Sequence, residues 1–155
     1  MRKSKLVLAL ATLAVALFAI PAISQAGRHT AERDAKLAGK NEVPGPGSKK
    51  GHGDIQIFLK PTQHKVCFNL EVKNLDTVTD AHIHKGAEGV AGAVKVPLFT
   101  GQTLNGTGNY NGCVKKVRRK LIQAIKLHPG KYYANVHTQD FPGGAIRGQL
   151  ERPPG

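Results

Sequence analysis

The sequence predicts an all-β fold, an antiparallel sandwich or closed barrel with one short helix. About seven short segments carry apolar residues at every second position, which is typical of half-buried strands. Gly-rich or Pro-Gly turns separate these segments at short intervals. Only one segment has helical spacing. Many short strands with frequent turns favour a single sandwich or barrel domain.

The elements follow one another in a simple order. An edge strand is predicted around residues 34–37, and a polar loop rich in Gly and Pro extends from it to residue 53. Residues 54–60 and 65–73 both alternate with period two and are close enough to form a hairpin. Five further strands are predicted, at residues 79–84, 93–98, 107–113, 132–137 and 145–150.

Residues 118–127 are predicted to form the helix. Apolar residues recur there at three- and four-residue spacing from Val117 to Ile125, and Pro129-Gly130 ends the pattern. The helix therefore connects two strands.

The N-terminus has the three regions of a secretory signal peptide. A basic stretch precedes an apolar run from Leu6 to Ile20, and Pro21 then leads to small residues ending at Ala26. The 15-residue run is shorter than the roughly 20 residues of a membrane-spanning helix. We expect cleavage after Ala26, export to the periplasm, cell wall or medium, and no transmembrane segment afterwards. An uncleaved signal anchor is the alternative.

The chain is strongly basic, with a formal charge of +13 that falls to +10 when the three basic residues of the signal are removed. Such a charge attracts anionic partners. For an exported protein it favours an acidic envelope polymer or anionic lipid surface over nucleic acid. A basic patch precedes and opens the helix, and either receives an anionic partner or is a solvated surface; it comprises Lys115, Lys116, Arg118, Arg119 and Lys120.

Two cysteines, Cys67 and Cys113, have 45 residues between them. In an oxidising compartment an even pair indicates a disulfide. Each cysteine shares a strand face with polar residues, which mutual pairing explains better than burial in the core. Closing a loop of that length with a disulfide would stabilise the domain by about 4 kcal/mol.

The strand at residues 79–84 contains a His-x-His pair. His82 and His84 point the same way, about 7 Å apart, with Ile83 facing the core. This separation suits two ligands of one transition metal, and His137 on a later strand offers a third imidazole. The alternative is that these histidines form hydrogen bonds that tie strands together, with Arg147 and Gln149 paired to Glu88 or Asp140.

Several motifs in order resemble the CHRD domain, a module named after chordin and found in many exported bacterial proteins. They cover nearly the whole mature chain, as a CHRD-like domain at residues 35–150. The edge strand and loop at residues 27–53 form the N-terminal part of the domain, and residues 151–155 are a short tail. The motifs are Leu37-x-Gly39-x-Asn41-Glu42-Val43-Pro44, His82-Ile83-His84-Lys85-Gly86, Gly89-x-x-Gly92, Val94-x-Val96-Pro97-Leu98, Tyr133-x-Asn135-Val136-His137-Thr138 and Phe141-Pro142-Gly143-Gly144-Ala145-Ile146-Arg147-Gly148-Gln149-Leu150.

The resemblance implies an immunoglobulin-like barrel similar to that of copper/zinc superoxide dismutases. His82, His84 and His137 resemble dismutase copper ligands, and Arg147 resembles the arginine that guides the anionic substrate. A His-rich zinc loop between His84 and His137 is missing from the sequence, and so is a metal-bridging histidine. Copper or zinc binding is therefore compatible with the residues, whereas full dismutase chemistry has less support.

The sequence is compatible with two functions. The CHRD resemblance and the lack of a Ser/His/Asp or phosphate-cradling motif favour a non-catalytic exported binding module with a histidine-based metal site. A copper-dependent redox enzyme of the superoxide dismutase type is the alternative. The sequence contains no signal for the oligomeric state.

Overall fold

The computed structural model describes residues 30–154. It contains eight β-strands and one α-helix, α1, at Arg119–Leu127. The strands are β1 (Ala31–Ala38), β2 (His52–Lys60), β3 (Lys65–Lys73), β4 (Val78–Lys85), β5 (Val94–Phe99), β6 (Gly108–Val114), β7 (Tyr132–Thr138) and β8 (Ile146–Gln149). The predicted all-β architecture with one short helix is confirmed.

All strand pairs are antiparallel and belong to one sheet, in the order β5-β4-β7-β8-β1-β2-β3-β6. The strands at the two ends of this order, β5 and β6, have Cα atoms within 8 Å of each other. The ring of Phe68, on β3 next to β6, lies 6.0 Å from the ring of Phe99 on β5, measured between centroids. The sheet is therefore a nearly closed barrel rather than two separate layers.

The hydrophobic core is formed by the inward-pointing residues of the strands, which alternate with outward-pointing residues. In the hairpin of β2 and β3, Ile57 lies opposite Phe68 and Leu59 opposite Val66, and all four are at most 4% exposed. Leu37, Ile83 and Ile146 continue this layer from other strands. The period-two pattern predicted this hairpin and its inward face correctly because one face of each strand is buried.

The first strand lies inside the sheet, so the prediction of an edge strand at residues 34–37 is wrong. β1 pairs along its length with β2, and Ala38 pairs with Arg147 of β8 on the other side. Asp34 also forms a bridge to Glu151, which belongs to the predicted tail. The Gly- and Pro-rich segment after β1 folds back as a loop, with a 2.9 Å hydrogen bond from Ser48 N to the carbonyl of Ala145.

Helix α1 covers one end of the barrel. Ile122 and Ile125 are fully buried, whereas His128 is exposed. The buried guanidinium of Arg33 on β1 donates a hydrogen bond to the carbonyl of Lys126 in the last helical turn. A cation at that end complements the helix dipole, so this contact stabilises the helix against the sheet.

The disulfide between Cys67 and Cys113 is present, as predicted. The two residues are directly opposite each other on β3 and β6. Asn69 and Asn111 are the next pair on the same outer face, which explains why each cysteine alternates with polar residues. The bond therefore fastens the terminal strand of the sheet to its neighbour.

The predicted signal peptide at residues 1–26 lies outside the described residues. Within residues 30–154, α1 and the shorter helical turns all lack the length and apolar character needed to cross a membrane.

Candidate functional site

The candidate site lies on the outer face of β4, β7 and β8. Ile83, Val136 and Ile146 point into the core, so the residues next to them point outward. His82 is paired with Asn135 and His84 with Tyr133 across the β4–β7 ladder. The outward residues form a continuous polar layer made of His82, His84, Tyr133, Asn135, His137, Arg147 and Gln149.

The three predicted histidines converge. One ring nitrogen from each of His82, His84 and His137 can be chosen so that all three lie within 4.8 Å of one another. The Nδ1 of His82 is 3.1 Å from the Nε2 of His137. Two nitrogens bound about 2.0–2.1 Å from one ion lie roughly 3 Å apart, so this pair already has the spacing of metal ligands.

Backbone carbonyls fix the ring nitrogens of two histidines. The Nδ1 of His84 lies 2.8 Å from the carbonyl of Gly92, and the Nδ1 of His137 lies 2.9 Å from that of Pro142. Because a carbonyl only accepts hydrogen bonds, each Nδ1 carries the proton and each Nε2 presents a lone pair. That of His137 faces the Nδ1 of His82 at hydrogen-bond distance, whereas that of His84 has no partner among the described residues. Metal-binding histidines have this same arrangement, in which the second ring nitrogen donates to a carbonyl.

The Nε2 of His84 is buried and has no hydrogen-bond partner within the described part of the chain. A buried polar atom without a partner costs free energy, so most such atoms are satisfied. Here the free lone pair belongs to the cluster formed with His82 and His137. A bound cation would satisfy it.

Burial favours the neutral form of His82 and His84. Desolvation, with smaller contributions from His137 and His84, lowers the pKa of His82 to about 4. Burial is also the main cause that lowers the pKa of His84. Metal binding requires unprotonated imidazole, so these rings are in the ligand-competent form at neutral pH.

A loop of residues 86–92 covers this polar layer and is fastened to it by side chains. Arg147 donates hydrogen bonds to the carbonyls of Ala87 and Val90, at 2.9 and 3.0 Å. The Tyr133 hydroxyl accepts a 3.1 Å hydrogen bond from the Gly92 backbone N–H. The Tyr133 ring also stacks on His84, with the ring centroids 4.7 Å apart. These contacts hold both the loop and His84 in place.

A buried carboxyl group lies in the same region. Glu42 accepts a 2.6 Å hydrogen bond from the side-chain amide of Asn135. Burial raises the pKa of Glu42 to about 7, although the nearby Arg147 cation acts in the opposite direction. The carboxyl group is therefore divided between its neutral and charged forms near pH 7.

Arg147 is only 2% exposed, and its guanidinium lies 3.4 Å above the Tyr133 ring. Its hydrogen bonds go to loop carbonyls, and those of Gln149 go to the carbonyls of Gly86 and Gly130. Among the described residues, the alternative pairing of Arg147 and Gln149 with Glu88 or Asp140 is therefore not formed. The guanidinium has little surface for meeting an anion from solvent, and anion guidance by Arg147 stays a prediction.

The sequence interpretation missed Tyr133 and Glu42 as parts of the site. Tyr133 and Asn135 precede His137 by four and two residues, so the strand period placed them on the same face. Glu42 is in a distant loop, and the sequence has no local signal for its approach. The predicted basic patch lies apart from the histidines, at the start of α1.

Fold and site together define a nearly closed antiparallel barrel with three convergent histidines on one loop-covered outer face. The sequence model of the CHRD domain matches residues 33–150. The chain therefore belongs to the CHRD domain family, as its motifs predicted. No curated protein and no solved structure matches the chain.

Proposed function

We propose that this protein is a non-catalytic exported module that binds one copper or zinc ion through His82, His84 and His137. The observation that supports the proposal most is the buried, unpartnered Nε2 of His84 beside two other imidazoles. Imidazole is a preferred donor for both metals.

The surroundings of the cluster support binding more than turnover. Two histidines are held by carbonyls, and Tyr133 packs against His84. The rings are therefore largely ordered before an ion binds. The widest nitrogen separation, 4.8 Å, exceeds what ligands of one ion show, so one ring moves inward on binding. The redox alternative needs an accessible anion guide, and the burial of Arg147 does not favour one.

The test is a calorimetric titration of the protein with Cu(II) and with Zn(II). We expect one ion per chain, and a loss of at least about 100-fold in affinity for the His82→Ala/His84→Ala variant. His128→Ala, which removes an exposed histidine outside the cluster, is the matched control and should bind like the parent. Equal binding by parent and double variant would refute the site. Superoxide removal by the copper-loaded protein would instead support the redox alternative.

A further inference from the structure

A second feature lies where the ends of β4 and β5 meet the start of α1. An open cleft of about 560 Å³ is found there, and none of its lining residues belongs to the histidine cluster. Four members of the predicted basic patch line it, and Lys115 does not. The fold adds two lysines from distant parts of the sequence, so the cations that line the cleft are Lys85, Lys95, Lys116, Arg118, Arg119 and Lys120.

The positive charge of this cleft is not compensated by carboxylates. No Asp or Glu is among its lining residues. Within residues 30–154 the one salt bridge joins Lys73 to Glu71, elsewhere on the barrel. The first turn of α1 has no acidic residue and no side-chain cap, so its free N–H groups add to the positive potential. Six like charges held together repel one another, and an anionic ligand would relieve that repulsion.

The uncharged lining of the cleft indicates the class of anion. Leu121 and Ala124 are partly exposed there and provide an apolar surface among the lining residues. Two aromatic side chains also line the cleft: Tyr132, which is only 5% exposed, and His64, whose imidazole is exposed. Binding of single-stranded nucleic acid relies on several exposed aromatic rings on which successive bases stack, and one imidazole does not supply them. An apolar surface in a cationic cleft instead suits the C–H faces and acidic groups of sugars.

We propose that this cleft binds a linear acidic polysaccharide, with its carboxylate or sulfate groups on the six cations and its sugar rings over Leu121 and Ala124. The cationic side chains are exposed and come from three segments, which fits a polymer with repeated charges. The cleft is open and has no buried donor aimed into it, in contrast to sites that enclose a small anion.

The test measures binding of the protein to immobilised polygalacturonate by biolayer interferometry across a range of NaCl concentrations. The cleft variant is Lys116→Gln/Arg119→Gln/Lys120→Gln. The matched control, Lys40→Gln/Lys49→Gln/Lys50→Gln, removes the same charge from exposed lysines near each other in another loop. We expect at least about 30-fold weaker binding for the cleft variant at low salt, and less than about 3-fold for the control. The salt dependence should also become shallower for the cleft variant alone.

Neutral dextran and single-stranded DNA serve as comparison ligands. The proposal predicts no binding to dextran and weaker binding to DNA than to polygalacturonate. An equal loss of affinity in both triple variants would show that net charge alone attracts the polymer. That result would overturn the cleft as the binding site. Tighter binding to DNA would overturn the polysaccharide assignment, and undetectable binding of polygalacturonate at 50 mM NaCl would overturn the proposal as a whole. The outcome is independent of metal binding, because the tested variants leave all three histidines in place.

Discussion

The two outer faces of the barrel have similar polar sequences but different environments. On the face of β1, β2, β3 and β6, side chains such as Gln56 and Asn69 are exposed and hydrogen-bond to each other at 3.5 Å. On the face of β4, β7 and β8, loops cover the polar layer, and His84 is only 8% exposed. Burial lowers the pKa of His84 and leaves its Nε2 without a partner. Coverage by loops, rather than residue type alone, therefore turns an outer sheet face into a candidate site.

The two faces also differ in how they are stabilised. The open face has a covalent bond between β3 and β6, whereas the covered face is held by hydrogen bonds from side chains such as Arg147 and Tyr133 to loop backbone. Removing the stability that the disulfide provides should therefore leave the geometry of the histidines unchanged.

The largest expected effect comes from removing the disulfide on the open face. Cys67→Ser/Cys113→Ser should lower the free energy of unfolding by about 4 kcal/mol, because the unfolded chain regains the freedom of a long loop. Affinity for Zn(II) should change by less than about 3-fold, because β3 and β6 do not contribute histidines to the cluster. Urea unfolding and calorimetric titration measure the two effects. A large loss of metal affinity in the folded variant would contradict the separation of the two faces.

The next effect concerns the loop on the covered face. A Cβ atom on Gly92 would lie 1.8 Å from the carbonyl oxygen of Lys85, so Gly92→Ala must push the loop away from β4. We expect a loss of about 3 kcal/mol in unfolding free energy. Zn(II) affinity should fall about 10- to 100-fold as well, because the Gly92 carbonyl orients His84.

Gly130→Ala is the control for this loop substitution. A Cβ atom there has nothing within 4 Å, and the residue does not require positive φ. Its unfolding free energy and Zn(II) affinity should match those of the parent. If Gly92→Ala lowered stability but left the affinity unchanged, the loop would not be positioning the histidine.

Some features of the two faces follow from the local sequence, and others depend on contacts between distant segments. Local alternation was sufficient for the β2–β3 hairpin and for the common direction of His82 and His84, because strand geometry fixes both. It could not reveal that β1 lies between β8 and β2, since strand order depends on contacts between distant segments. The hydrogen bond of Glu42 to Asn135 and the gathering of Lys85 and Lys95 beside α1 are tertiary features of the same kind.

The smallest predicted effect uses the buried carboxyl group of the covered face. Burial raises the pKa of Glu42 from 4.5 to about 7 in the folded protein. At a pH between these two pKa values, Glu42 holds a proton in the folded state that it has released in the unfolded state. Stability therefore falls as the pH rises from about 4.5 to 7, and the penalty is fully present above that range. The difference between the pKa values of 4.5 and about 7 corresponds to about 3 kcal/mol, and solvent screening reduces this to on the order of 2 kcal/mol.

Glu42→Gln keeps an oxygen that accepts from Asn135 but cannot ionise. Relative to the parent, its unfolding free energy should therefore rise by about 2 kcal/mol between pH 5 and pH 8. Urea unfolding of both proteins at several pH values measures this difference, and the contributions of all other titrating groups cancel. A constant difference between Glu42→Gln and the parent across this pH range would mean that Glu42 is ionised throughout, held by the neighbouring Arg147 cation.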